Sequence, residues 1–241
     1  MLEQLKIGNI LFLDIETVPL YPAYGELPEN FRMLWDKKAA YLKKEAETPE
    51  IIYHRAGIYA EFGRIICICT GMIGVQDDRR VLRIKSFYAP DEKNLLEAFG
   101  DLITRLCQKR EIDLCAHNGK EFDFPFIARR MLVNGIKLPV IFDIAGKRPW
   151  EVRHLDTLEL WKFGDHKHYT SLDLLASIFK IESPKNDIDG SQVARVYWED
   201  KDLNRIVDYC RRDVIALAQL MLKFKGESLL EPADILVLDT L

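Results

Sequence analysis

Three short acidic motifs, far apart in the chain, place the strongest constraint on how it can fold. The motifs are DIE at residues 14–16, NGKEFD at residues 118–123 and YCRRD at residues 209–213. Residues two apart in a strand point to the same face, and residues four apart in a helix lie on one side. With the first motif on a strand and the other two on helices, three elements can converge on one acidic pocket at a sheet edge.

The first two motifs fall at the ends of predicted elements. The apolar run at residues 7–13 predicts a buried strand that leads directly into Asp14 and Glu16. Residues 121–133 predict a helix, and Asp123 falls in its first turn, where the positive end of the helix dipole tolerates an ionised carboxylate. Each motif alone is also consistent with a structural role, at a strand end or a helix start.

The third motif lies in the longest predicted helix, residues 201–223. Tyr209 and Asp213 share one side of this helix. Alone, the pair is more typical of a core tyrosine and a solvated aspartate. The occurrence of all three motifs in one chain instead favours a shared site of four carboxylates and one phenol.

A cluster of carboxylates repels itself unless cations are bound. Hard oxygen ligands prefer Mg²⁺ or Mn²⁺ to zinc. Two such ions, about 3.5–4 Å apart, activate a water and stabilise the leaving oxygen of an in-line displacement at phosphorus. The motifs therefore predict a metal-dependent enzyme that hydrolyses phosphodiesters.

The other elements predict an α/β fold with a mixed sheet. Two β-rich runs, residues 64–75 and 81–88, are joined by so short a turn that they must be antiparallel. Further strands are predicted at residues 112–116 and 152–156, and further helices at residues 91–110 and 171–179, the last with Thr170 or Ser171 as N-cap. This order predicts a five-stranded sheet with one antiparallel strand and helices on both faces.

The length of 241 residues fits one domain better than two. Residues 19–62 are too long for an ordinary loop, so they predict an insertion, with helix around residues 31–46. The expected organisation is one domain over residues 1–225 and a C-terminal appendage over residues 226–241.

Charge and cysteine usage narrow the class of protein. The net charge of −4 argues against binding nucleic acid by bulk positive charge, but metal ions offset the charge of a carboxylate cluster. Five cysteines without a C-x-x-C motif predict reduced thiols. With no signal peptide and no apolar run of membrane length, the expected location is the cytoplasm, with no membrane partner.

The motifs together carry a resemblance to a known family. DIET at residues 14–17, N-x-x-x-F-D-x-P-F-I at residues 118–127 and Y-x-x-x-D at residues 209–213 resemble the three exonuclease motifs of B-family DNA polymerase proofreading domains. From residue 8 to about residue 224, the chain is similar to stand-alone 3′–5′ exonucleases of the DEDDy group. The resemblance implies a ribonuclease H-like fold.

The resemblance also implies a role for each acidic residue. Asp14 is expected to bridge two Mg²⁺ or Mn²⁺ ions, and Glu16 and Asp213 to complete the shell of the ion beside the attacking water. Asp123 is expected to hold the second ion, partly through water. Tyr209 is expected to orient the attacking water through its hydroxyl group. The related DEDDh group has a histidine where this chain has Asp208.

Substrate contacts are expected from residues beside the motifs. Thr17, Asn118 and Phe122 are expected to line the site, with Phe122 or a nearby aromatic ring stacking on the terminal base. Lys185 is expected to contact a phosphate, because residues 183–190 resemble a loop near the site of related enzymes.

Two polar positions have two interpretations each. Asp156 with Thr157 either supports the site or caps a helix, and the cap is favoured. His117 either contacts the substrate or is a packed histidine with satisfied hydrogen bonds, and the packed form is favoured.

The predicted function is a metal-dependent 3′–5′ exonuclease that releases mononucleotides from single-stranded DNA. Proofreading would need a separate replication or repair partner, because the chain has no room for a polymerase domain. The same chemistry on RNA is the nearest alternative, since no residue is identified that must read a 2′-hydroxyl. The motifs are also compatible with a catalytically silent nucleic-acid-binding module and with a phosphatase or nucleotidase that acts on small substrates.

Overall fold

A six-stranded sheet forms the centre of the computed structural model, which describes residues 2–165, 169–181 and 188–238. The strands are β1 (Ile10–Pro19), β2 (Gly63–Gln76), β3 (Arg79–Tyr88), β4 (Asp113–Ala116), β5 (Leu155–Asp156) and β6 (Ile235–Val237). Their spatial order is β5-β4-β1-β2-β3-β6. Strand β2 is antiparallel to both neighbours and every other pair is parallel, so the prediction of one antiparallel strand is confirmed.

The predicted number of five strands is wrong, because β6 adds a sixth. This strand lies within residues 226–241, the predicted appendage, and pairs in parallel with β3 at Leu82 and Ile84. Three residues are too few to show an alternating pattern in the sequence. Other contacts attach the same segment to α7, including hydrogen bonds between the Gln219 side chain of that helix (Leu203–Phe224) and the backbone of Leu230. The domain boundary at residue 225 stays a prediction.

The helices largely follow the predicted pattern. They are α1 (Glu29–Leu42), α2 (Glu92–Lys109), α3 (Asp123–Val133), α4 (Thr157–Lys162), α5 (Leu172–Ile178), α6 (Val193–Arg195), which continues into a π-helical turn (Val196–Asp200), and α7 (Leu203–Phe224). Ser171 caps α5, because its hydroxyl accepts the backbone N–H of Leu174 at 3.2 Å. None of the helices in the described ranges has the length and apolarity that crossing a bilayer needs.

Strand β1 separates two hydrophobic layers. Leu11, Leu13 and Ile15 face one layer with α2 and α3, whereas Ile10 and Phe12 face the other with α7. The alternation places helices on both faces of the sheet, as predicted. It also directs the side chains at positions 14 and 16 toward the α7 face.

Strand β1 starts and ends later than the run predicted at residues 7–13. Residues 7–9 form a 3₁₀ turn (Ile7–Asn9), and the strand continues through both acidic residues to Pro19. Pairing with the long strand β2 extends it, since Leu11 to Pro19 all have partners there. Asp14 and Glu16 therefore lie within a rigid strand rather than beyond its end.

Residues 19–62, the predicted insertion, form a small cluster of their own beside β1. It contains α1, which covers residues 29–42 where residues 31–46 were predicted, and a 3₁₀ helix (Tyr53–Ile58). Trp35 is fully buried at its centre, among Leu27, Ala39, Ile52, Tyr53, Ala56 and Phe62. This packing brings the 3₁₀ helix against the end of β1 that follows the first acidic motif.

Candidate active site

The two acidic residues of β1 point toward α7. Glu16 is only 7% exposed, and Oδ2 of Asp14 is buried without a hydrogen-bond partner among the described residues. On the neighbouring strand, Cys69 lies opposite Asp14 and Cys67 lies opposite Glu16. The pairing register shifts between Glu16 and Thr17, so an irregularity interrupts the ladder just past the acidic pair before the pairing continues to Pro19.

Asp123 joins this pair through the backbone of β1. Its carboxylate Oδ1 accepts the backbone N–H of Ile15 at 3.2 Å, between the two acidic residues of the first motif. Asp123 is also the first residue of α3 and is 3% exposed. One hydrogen bond therefore fixes the start of α3 against the strand that carries Asp14 and Glu16.

Helix α7 brings Tyr209 and Asp213 to the same place. The two side chains are hydrogen bonded to each other, with the phenol as donor to the carboxylate. The helix approaches the sheet closely at Gly71, where an added Cβ would lie 2.8 Å from Cγ1 of Val214. The absence of a side chain at position 71 thus lets Asp213 reach the carboxylates of β1.

Mutual repulsion and burial dominate the electrostatics of the pocket. Burial raises the pKa of Asp14 well above its ordinary value, and the charges of Glu16, Asp213 and Asp123 raise it further. Burial also raises the pKa of Glu16. The pKa of Asp123 and that of Asp213 rise to about 7, again chiefly through burial. Burial and the nearby carboxylates raise the pKa of Tyr209, so it remains a neutral phenol.

These features fit divalent cations. Four carboxylates that oppose one another's ionisation in a buried pocket are stabilised by added positive charge. No residue that the structure describes gives Oδ2 of Asp14 the partner that a buried charged oxygen needs. Carboxylate oxygens are the ligands that Mg²⁺ and Mn²⁺ prefer.

A cleft of about 350 Å³ opens beside the acidic pocket. Glu16, Thr17 and Phe122 line it from the sheet side, so two of the predicted substrate-binding residues border the same space. His54 and Arg55 of the insertion also line it, as do Gly190, Ser191 and Ala194. Lys185, the predicted phosphate contact, lies outside the described residues.

A family model described as a predicted 3′–5′ exonuclease related to the exonuclease domain of PolB matches residues 58–228. The chain belongs to this family. The match includes the second and third motifs, whereas Asp14 and Glu16 precede it. No curated protein sequence matches the chain.

A solved structure shares the fold of this exonuclease-family chain. It is the family B DNA polymerase from the hyperthermophilic archaeon Pyrobaculum calidifontis, with a TM-score of 0.52 and 18% sequence identity. The similarity covers 90% of this chain and 24% of the polymerase. The resemblance to polymerase-B exonuclease domains and the predicted fold class are thereby confirmed, apart from the strand count.

The exonuclease-family site is supported by Asp156, in both of the roles considered for it. Asp156 Oδ1 accepts the backbone N–H of Leu158 at 2.9 Å and so caps α4. The same carboxylate accepts the backbone N–H groups of Asn118 at 2.9 Å and Lys120 at 3.1 Å. It therefore holds the loop that leads into Asp123.

The Asn118 loop needs this support because its backbone is unusual. Asn118 has a φ of 63°, in the left-handed region that few residues other than glycine and asparagine adopt. At Gly119 an added Cβ would lie 2.3 Å from Cβ of Ala116, so only glycine fits. Asn118 is not among the described residues that line the cleft beside Glu16, and its substrate contact stays a prediction.

His117 is a packed histidine, as the favoured interpretation held. Its Nδ1 is 2.9 Å from the hydroxyl of Thr157, and its Nε2 is 2.8 Å from the carbonyl oxygen of Thr170. Burial lowers the pKa of His117, which favours the neutral ring. Both ring nitrogens therefore form hydrogen bonds within the protein.

Sequence reasoning missed three residues at this site. His54 and Arg55 belong to the insertion, whose place in the fold was unknown, although it directly follows the first motif. Tyr169 is 63% exposed and packs edge-on against His117, with ring centroids 6.0 Å apart. Partial burial, followed by the charge of Asp123, raises the pKa of Tyr169 and places it near the carboxylates. For Tyr169, the signal in the sequence was an aromatic residue within a polar segment.

Proposed function

We propose that the protein is a metal-dependent 3′–5′ exonuclease of the DEDDy type that acts on single-stranded DNA and releases mononucleotides by a two-metal-ion mechanism. The observation that carries the proposal is the convergence of Asp14, Glu16, Asp123, Tyr209 and Asp213, from three separate elements, in one buried pocket. Membership of a predicted exonuclease family supports the reaction class.

The four carboxylates would hold two Mg²⁺ or Mn²⁺ ions. When bound, such ions lower the pKa of a water and stabilise the charge that develops on the leaving oxygen. Asp14 is central to this arrangement, since its carboxylate interacts with those of Glu16, Asp123 and Asp213. The hydrogen bond from Ile15 to Asp123 keeps one ligand in position before the substrate binds.

Tyr209 would position the attacking water. Its pKa lies above the ordinary value because burial and the carboxylates of Asp213, Glu16 and Asp14 disfavour the phenolate. The hydroxyl therefore keeps its proton at neutral pH and acts as a fixed hydrogen-bond partner. Its own hydrogen bond to Asp213 restricts the orientation of the ring.

The terminal nucleotide would enter the cleft beside Glu16. Phe122 offers a partly buried ring for stacking, and Thr17 offers a hydroxyl next to the acidic pair. His54 and Arg55 would contact the strand from the insertion side. We further propose that Asn118 and Lys185 contribute substrate contacts.

The same site is compatible with RNA, and a 3′–5′ exoribonuclease is the second candidate. We place the enzyme in the cytoplasm because the five cysteines are free thiols, as in reducing compartments. We further propose that the enzyme acts in DNA replication or repair together with a protein partner.

A time course on 5′-labelled single strands of DNA and RNA with matched sequence tests the proposal. Each strand is incubated with Mg²⁺, Mn²⁺ or EDTA, and Asp14→Ala is compared with Asp101→Ala, which alters an exposed carboxylate on α2. We expect a ladder that shortens from the 3′ end, that EDTA abolishes, and that is absent in Asp14→Ala but retained in Asp101→Ala.

The faster substrate decides between DNA and RNA. Normal cleavage by a folded Asp14→Ala variant would contradict the site assignment. Binding of both strands without cleavage under any metal condition would favour the silent binding module. Hydrolysis of free nucleotides without any ladder would favour the small-substrate hydrolase.

A further inference from the structure

Three buried thiols converge directly beside the acidic residues of β1. Cys67 and Cys69 lie two apart on β2, and Cys210 faces them from α7. All three side chains are fully buried, and their Sγ atoms lie within 4.8 Å of one another. The Sγ atoms of Cys67 and Cys69 are 3.7 Å apart. We refer to these three residues as the thiol cluster.

The spacing of the thiol cluster matches that of a soft metal site. Zinc binds cysteine sulfur at about 2.3 Å with tetrahedral geometry, so two sulfur ligands of one ion lie about 3.8 Å apart. The distance between Cys67 and Cys69 is already close to this value without any movement. We propose that the thiol cluster binds a thiophilic divalent ion, with Zn²⁺ as the natural occupant and Cd²⁺ as a chemical equivalent.

Filling of the core alone does not account for this arrangement. Cys115 is just as fully buried in the same hydrophobic layer, yet it belongs to none of the potential ligand groups among the described residues. The three converging sulfur atoms therefore differ from an ordinary core cysteine in their mutual distance, which is the property that metal binding requires.

The thiol cluster is continuous with the acidic pocket. Cys210 Sγ and the carboxylate oxygens of Asp14 and Glu16 also lie within 4.8 Å of one another. Asp14 Oδ2 has no hydrogen-bond partner within the described part of the chain and can serve as a fourth ligand. Asp14 is partly exposed, so an ion can reach this residue, beside the sulfur atoms, from solvent.

A soft ion at the thiol cluster would therefore regulate the site. By drawing Asp14 toward the sulfur atoms, it would remove a shared carboxylate from the hard ions that the proposed nuclease needs. Thiophilic ions are then inhibitors of an enzyme that Mg²⁺ or Mn²⁺ activates. This consequence rests on the proposed function, whereas binding of the ion does not.

Titration with Cd²⁺ tests the binding directly. Thiolate-to-cadmium charge transfer absorbs in the ultraviolet, so the band reports sulfur ligation without any nuclease assay. We expect a band that saturates at one ion per chain in the wild type and is lost in Cys210→Ala and in Cys69→Ala. The matched controls are Cys115→Ala, which removes a buried thiol outside the cluster, and Cys107→Ala, which removes the exposed one.

The control variants show whether the cadmium band comes from the thiol cluster. Both control variants are expected to keep the band. The proposal is overturned if the folded wild type shows no band, or if the band is lost only in Cys107→Ala. Thermal unfolding verifies folding, and Cys69→Ala replaces Cys210→Ala as the test variant should the latter not fold.

Inhibition by Zn²⁺ in a fixed excess of Mg²⁺ tests the consequence. Loss of a residue that only hydrogen bonds to a metal ligand already weakens metal affinity by about 10-fold to 100-fold. Because Cys69→Ala removes a ligand itself, we expect its half-inhibitory zinc concentration to rise by at least about tenfold. A cadmium band without any nuclease activity would contradict the proposed function but still support metal binding by the thiol cluster. Nuclease activity with equal zinc sensitivity in both proteins would overturn the regulatory role.

Discussion

At the scale of single residues, the pocket is defined by carboxyl groups that the fold holds close together against their repulsion. Asp123 is buried and Asp213 nearly so, and the pKa of each rises to about 7. A carboxyl group in the unfolded chain has a pKa of about 4. The metal-free folded protein therefore retains protons that the unfolded chain releases.

This difference predicts the pH dependence of stability. Between about pH 4 and pH 7 the folded state binds more protons, so the free energy of unfolding falls as pH rises, by about 1.4 kcal/mol per pH unit for each such group. Denaturant unfolding in EDTA at several pH values measures this slope. Asp123→Asn is expected to reduce it relative to the wild type, and Mg²⁺ to reverse it by binding the ionised carboxylates. Equal slopes in the wild type and the variant would contradict the raised pKa of Asp123.

The phenol of Tyr209 has a separable effect on catalysis. Tyr209→Phe removes only the hydroxyl group, so metal affinity and folding are expected to persist while kcat falls about 100-fold or more. Steady-state kinetics on a single-stranded oligonucleotide measure this change, with Tyr88→Phe on β3 as the control. If kcat in Tyr209→Phe stays near that of the control, the hydroxyl has no role in positioning the water.

At the scale of elements, the position of α7 determines whether the site forms. This helix carries both Tyr209 and Asp213, and it contacts β2 at Gly71 through Val214. A side chain at position 71 would also lie 3.1 Å from Cδ1 of Leu82. There is thus little space in which the helix can shift without moving Asp213.

Gly71→Ala is expected to disturb both stability and catalysis. Its Cβ would lie 2.8 Å from Val214 Cγ1, and overpacking of this kind costs about 1–3 kcal/mol. The activity should fall as well, because α7 must move away from β1. Gly25→Ala is the matched control, since no atom of the described residues lies within 4 Å of its added Cβ. Chemical unfolding and cleavage rates of the two variants test the prediction, which fails if they behave alike.

The elements also show what sequence patterns can and cannot predict. The sequence pattern placed β2, α2 and α7 well, because each is long. The two helices have one consistently buried face, whereas β2 is a β-rich run with both faces buried along much of its length. The convergence of the acidic motifs followed from the positions of these elements. The contact of Asp123 with the backbone of Ile15 could not be predicted, because a backbone amide leaves no pattern in the sequence.

At the scale of the whole molecule, the insertion completes the cleft. Strand β1 and Phe122, the N-cap of α3, supply one wall, and the 3₁₀ helix Tyr53–Ile58 supplies another. The sequence predicted an insertion at residues 19–62 but not its purpose, because its packing depends on a cluster around Trp35 that forms only in three dimensions. We expect this wall to bind the strand rather than to take part in the chemistry.

The variant His54→Ala/Arg55→Ala separates these two roles. Its KM for a single-stranded oligonucleotide is expected to rise about tenfold, because two contacts to the strand are removed. The rate on a small chromogenic nucleotide phosphodiester should stay near that of the wild type. Lys43→Ala, at an exposed position of the insertion outside the cleft, is the control. An equal loss on both substrates would show that the wall acts on the chemistry or on folding.

The short strand β6 has a consequence for the behaviour of the protein at high concentration. It occupies the outer side of β3 from Leu82 to Ile84, and Leu238 extends the pairing with a hydrogen bond of 2.8 Å to the Ile84 carbonyl. An uncovered strand edge is a template for pairing with other chains. Residues 235–238 thus protect this part of β3 against self-association. A chain shortened to residue 225 would keep its acidic pocket but expose a strand edge that can pair with other copies.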